Sequence, residues 1–138
     1  MKKILIFITL ISLLNISYAQ LSFSNQDSSN SNNNLPDISN LEKNPQMKNI
    51  VEIIKYNAAI SGYAITCKEN PEDVLQIKTF LFNQLKPLHL NDNNTQKLNN
   101  LFVDYQNKTS KKPMSDVECF NFTQQFSKII STIKNIQQ

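Results

Sequence analysis

A chain of 138 residues with 14 Lys, no Arg and 11 acidic residues carries a formal net charge of only +3, and its length suits one domain. Without Arg there is no planar fork for bidentate recognition of phosphate or guanine, and so small a basic excess excludes nucleic acid as a partner. A single glycine rules out a Gly-rich phosphate loop, and two cysteines that are not spaced as CxxC argue against a thioredoxin-like redox role.

The chain opens as a secretory signal peptide is expected to. Lys2 and Lys3 form a positive start, and Ile4 to Leu14 form a short apolar core. Ser17 and Ala19 place small residues where a signal peptidase reads, so cleavage is expected before Gln20. The apolar run is shorter than the roughly 20 residues that span a bilayer, so no stable membrane anchor is expected. No cysteine follows it to take a lipid. Cleavage would remove two lysines and leave 12 Lys against 11 acidic residues, so the apparent basicity belongs largely to the targeting segment. A secreted or periplasmic protein is the expectation.

From Leu21 to Pro45 no helical or strand period appears, and ten of the thirteen residues from Ser22 to Asn34 are Ser or Asn. Such a stretch buries too little apolar surface to offset its ordering entropy, and it reads as a disordered leader. The expected organisation is a signal peptide over 1–19, a leader over 20–45 and a helical domain over 46–138.

The first helix of that domain is expected from about Pro45 or Gln46 to Cys67. Met47, Ile50, Val51, Ile54, Ala58 and Ile65 share one broad face, widened by Ile53, Tyr56, Ile60 and Tyr63. An element apolar around so much of its circumference should be the most buried. Gly62 costs about 1 kcal/mol relative to Ala inside a helix. With Ala58 and Ser61 it forms a small-residue patch that admits a close neighbour, or else it marks a break.

A second helix starts at Asn70-Pro71-Glu72-Asp73, where Asn caps, Pro fills the first position and two acids meet the positive end of the dipole. Val74, Ile77, Leu81, Leu85 and Leu88 then recur at helical spacing with Leu75 and Phe82 beside them, until Pro87 distorts the helix near Lys86. After a capped turn at Asn91–Asn94, a third helix carries Leu98, Leu101, Phe102 and Tyr105 and fades by about Lys108. A polar connection, Thr109 to Met114, leads to Ser115 and Glu118, whose spacing is a capping box. The fourth helix therefore begins near Asp116, with Cys119, Phe122, Phe126, Ile129, Ile133 and Ile136 as its apolar seam.

Four amphipathic helices with short connections predict an all-α, up-down-up-down antiparallel four-helix bundle. In that topology Cys67, at the end of the first helix, and Cys119, at the start of the fourth, lie at the same end. The expected disulfide Cys67–Cys119 follows, in keeping with export and an even cysteine count.

No motif for catalysis, metal or cofactor stands out. His89 is alone, lacking both a triad and further ligands. Glu72-Asp73 and Asp116/Glu118 sit where helix dipoles favour acids. Sequons at Asn93, Asn107 and Asn121 arise readily in so Asn-rich a chain, and Asn121 is expected beside the apolar seam. Phe120, next to Cys119 but off the seam, is expected to be partly exposed near Lys111 and Lys112, and these three make a candidate protein-interaction patch. The expected function is a non-enzymatic module that binds another protein. The alternative is a carrier holding a small apolar ligand among the phenylalanines of the core.

Overall fold

The computed structural model describes residues 39–137. The expected signal peptide and the leader up to residue 38 lie outside the described residues. All regular secondary structure among them is helical: α1 (Ser39–Glu42), α2 (Pro45–Thr66), α3 (Pro71–Leu85), a 3-10 turn (Lys86–Leu88), α4 (Asp92–Ser110) and α5 (Asp116–Gln137). The four expected helices are α2 to α5.

Local chemistry sets their boundaries as the sequence implies. Asn44, Asn70 and Asn91 each accept a hydrogen bond from a backbone N–H of the turn they precede, closing donors that a helix start leaves open. At α5 the capping box forms reciprocally. Ser115 N–H donates to Glu118 Oε2 at 2.7 Å, and Glu118 N–H donates to Ser115 Oγ at 3.3 Å. Helix α2 ends in a Schellman motif, with Glu69 N–H donating to the Ala64 carbonyl and Lys68 N–H to that of Ile65. Lys68 takes the left-handed position at φ 59°, where glycine would be unstrained.

The domain begins earlier than the sequence indicates. Residues expected in a disordered leader form α1, where Leu41 is buried and Glu42 pairs with Lys55 at 3.5 Å. One apolar residue in a polar stretch gives no period, so only its packing back onto α2 reveals this element. Helix α4 likewise runs to Ser110, past the expected fade at Lys108.

Helix α2 is the most buried element, as its composition requires. Its most extensive partner is α4. The small patch is the reason: a Cβ built on Gly62 would lie 2.6 Å from Thr109 Cβ, 2.7 Å from the Gln106 carbonyl oxygen and 3.0 Å from Ser110 N. Thr66 Oγ1 also donates to the Ser110 carbonyl at 3.0 Å, satisfying an acceptor that the end of α4 leaves open. Extensive packing with both C-terminal ends together means that α2 and α4 run side by side in the same sense.

Two features depart from a simple ring. There the first and third helices are diagonal, whereas α2 and α4 are the principal pair. A ring would also place the starts of the second and fourth helices together. Instead Lys134, about 27 Å along α5 at 1.5 Å per residue, pairs at 3.0 Å with Asp73 in the first turn of α3. Both helices start from the Cys67 end, so α5 crosses the beginning of α3 instead of running beside it.

The seam of α5 also shifts. Phe122, Phe126, Ile130 and Ile133 are buried, Ile129 is half-buried and Ile136 is 45% exposed. Adjacent isoleucines differ by about 100° around a helix, and the oblique crossing selects the second. Core aromatics fill the space between helices: Phe122 stacks on Phe126 at 5.6 Å, Tyr63 meets Phe122 edge-on at 6.2 Å, and Phe82 meets Phe102 at 6.3 Å.

Candidate functional site

Cys67 ends α2 and Cys119 lies in the first turn of α5, and the two form a disulfide with Cα atoms 5.3 Å apart. The expected pairing is present although the helices do not form the expected ring. It needs only that the end of one helix and the start of the other meet. Met114 Sδ lies 3.7 Å from Cys67 Sγ, bringing the connection before α5 against the bond. On the other side Thr123 Oγ1 hydrogen-bonds Glu69 Oε1, which ties α5 to the turn after α2. The start of α5 is thus held at three points.

This rigid end presents apolar side chains to solvent. Phe120 is 65% exposed, Val117 71% and Ile65 46%. Phe120 adjoins Cys119, while Val117 and Ile65 each lie two residues from a bonded cysteine. Val117 and Phe120, three residues apart, share the side of α5 away from the buried seam. Lys111 and Lys112 are exposed on the connection that passes the disulfide. Exposure of Phe120 matches the sequence expectation. Ile65, expected on the buried face of the first helix, is a correction: it stands at the end of α2, where no helix covers it. Val117 lies off the apolar period that marks the seam, so that period does not single it out. Projection of α5 on a helical wheel reveals the Val117–Phe120 pair on the opposite side.

The electrostatics here are local. Hydrogen bonds from the Ser115 backbone and hydroxyl hold the Glu118 carboxyl below its ordinary value of 4.5. Tyr63, half-buried behind this end, has its phenol pushed up by burial and then by the Glu118 charge. Further away, burial works against the Lys55 charge, but hydrogen bonding to Glu52 and the charges of Glu52, Tyr105 and Glu42 outweigh it and raise the ammonium.

No group of three or more His, Cys, Asp or Glu side chains is placed to hold a metal among the described residues. His89 is exposed and left-handed (φ 49°) after the 3-10 turn, at the end of the molecule away from the disulfide. There, between the end of α3 and the first turns of α4, lies an open groove of about 260 Å³. The asparagines of all three sequons, Asn93, Asn107 and Asn121, are exposed. Asn121, expected beside the seam, adjoins the buried Phe122 and is exposed. No described helix is long and apolar enough to cross a membrane. No protein-family model, no curated protein and no solved structure matches this chain.

Proposed function

We propose that the protein is exported, with cleavage after Ala19 into a secreted or periplasmic form, and that it acts without catalysis as a module binding another protein through its disulfide end. The observation that supports this reading is the exposed apolar pair of Val117 and Phe120 on the helix start that the disulfide fixes, with Ile65 also exposed near the end of α2. Exposed aromatic residues on rigid elements bind at little conformational cost and commonly form the anchor of an interface. Lys111 and Lys112 add a cationic rim, whose main effect is on encounter rate and partner choice.

Native mass spectrometry of the protein purified from its own source tests both halves. Export predicts a chain mass beginning at Gln20. The interaction reading predicts a bound protein partner that is lost in Phe120→Glu and weakened in the Lys111→Glu/Lys112→Glu double variant, with both variants melting as wild type. A partner retained by Phe120→Glu, or a chain that never carries a protein partner, overturns the interaction reading.

A further inference from the structure

The far groove differs in character from the disulfide end. Its floor is made by buried Leu85 and Leu98, and half-buried Phe82 forms a wall. Exposed Lys86, His89 and Thr95 stand at its rim, and no acidic side chain lines it. The volume falls just below the range of about 300–1,000 Å³ usual for small-molecule pockets, so the occupant is small. An apolar floor beneath a one-sided rim able to carry positive charge complements a molecule with an apolar body and a single anionic end.

We propose that this groove binds a small amphipathic carboxylate, its alkyl or aryl body on Phe82, Leu85 and Leu98 and its acid group at Lys86 beside His89. Packing supplies most of the affinity, because the apolar body leaves water. The rim supplies orientation: a carboxylate meets a cation there, and a reversed charge is repelled. The expected carrier cavity would have lain among the core phenylalanines. Phe80, Phe102, Phe122 and Phe126 are buried, whereas half-buried Phe82 lines the groove. The site lies at the end opposite the disulfide, so it stands or falls separately from the interaction reading.

Calorimetric titration of the purified, disulfide-bonded protein with decanoate, decanol and decyltrimethylammonium tests it. Decanoate is expected to bind tightest, decanol about threefold to fivefold more weakly and the cation weakest, as suits a solvent-exposed ion pair. Lys86→Gln should bring decanoate down to the affinity of decanol and leave decanol unchanged. Thr95→Phe, which fills the mouth from an exposed position without touching the core, should abolish binding of all three. No decanoate binding, equal affinity for the three probes, or binding that survives Thr95→Phe would each overturn the proposal.

Discussion

Substituting Gly62 by Ala sets two effects against each other. On helix propensity alone, Ala at an interior position is worth about 1 kcal/mol over Gly. The added methyl, however, has nowhere to go: it would meet Thr109 Cβ at 2.6 Å, the Gln106 carbonyl oxygen at 2.7 Å and Ser110 N at 3.0 Å. Two of these are backbone atoms and the third is fixed to the backbone, so no side-chain rotation relieves the contact and α4 must move away from α2. Overpacking of this kind costs about 1–3 kcal/mol, and the rigidity of the contacts puts this case at the upper end. The clash therefore wins, with a net loss of about 1–2 kcal/mol, equivalent to a fall in Tm of roughly 5–15 °C for a domain of this size. Thermal unfolding followed by circular dichroism measures it. Ser61→Ala provides the contrast: the fully buried Ser61 Oγ has no hydrogen-bond partner among the described residues, so removing it should leave Tm unchanged or raise it. A Gly62→Ala protein melting at or above wild type would refute the close approach of α2 and α4.

The disulfide and the capping box yield further tests. Cys67 and Cys119 are 52 positions apart, and closing a loop of that length stabilises the domain by about 4 kcal/mol in the chain-entropy model. Cys119→Ala or reduction should therefore lower Tm well beyond 10 °C; a shift of one or two degrees would contradict this. The Glu118 carboxyl is held below its ordinary value in the folded state, so its stabilisation is complete above that value and is lost as pH falls through the lowered one. The stability difference between wild type and Glu118→Gln should be constant at neutral pH and shrink as pH falls below the ordinary value of 4.5; denaturant melts across the acid range would show a flat difference if the reasoning is wrong. Tyr63 acts at the other extreme. Its raised pKa means that the folded state resists deprotonation, so stability should fall as pH rises above its ordinary value of 10.

What was legible in the sequence was mostly local. Asn70-Pro71 and Ser115/Glu118 set helix starts because a cap is made within one turn of the residue that forms it. The cysteine pairing was also legible, since it depends only on which helix ends meet. Of the candidate site, Phe120 could be found by its position off the seam. Ile65 could not: an apolar residue in register with a buried face becomes exposed where the partner helix stops, and periodicity carries no record of where that is.

The sequence by itself determined that this is a helical domain, where its long helices begin and which two sulfurs bond. The tertiary structure decided that the small patch at Gly62 receives α4, that α5 crosses α3 obliquely and buries Ile130 ahead of Ile129, and that Leu41 draws a fifth short helix onto α2. The physical reason is the reach of the forces. Capping and helical period act within a turn or two of the chain, whereas the choice of neighbour depends on how whole helix surfaces fit. A Gly-Ser patch signals that a close neighbour is possible without naming it.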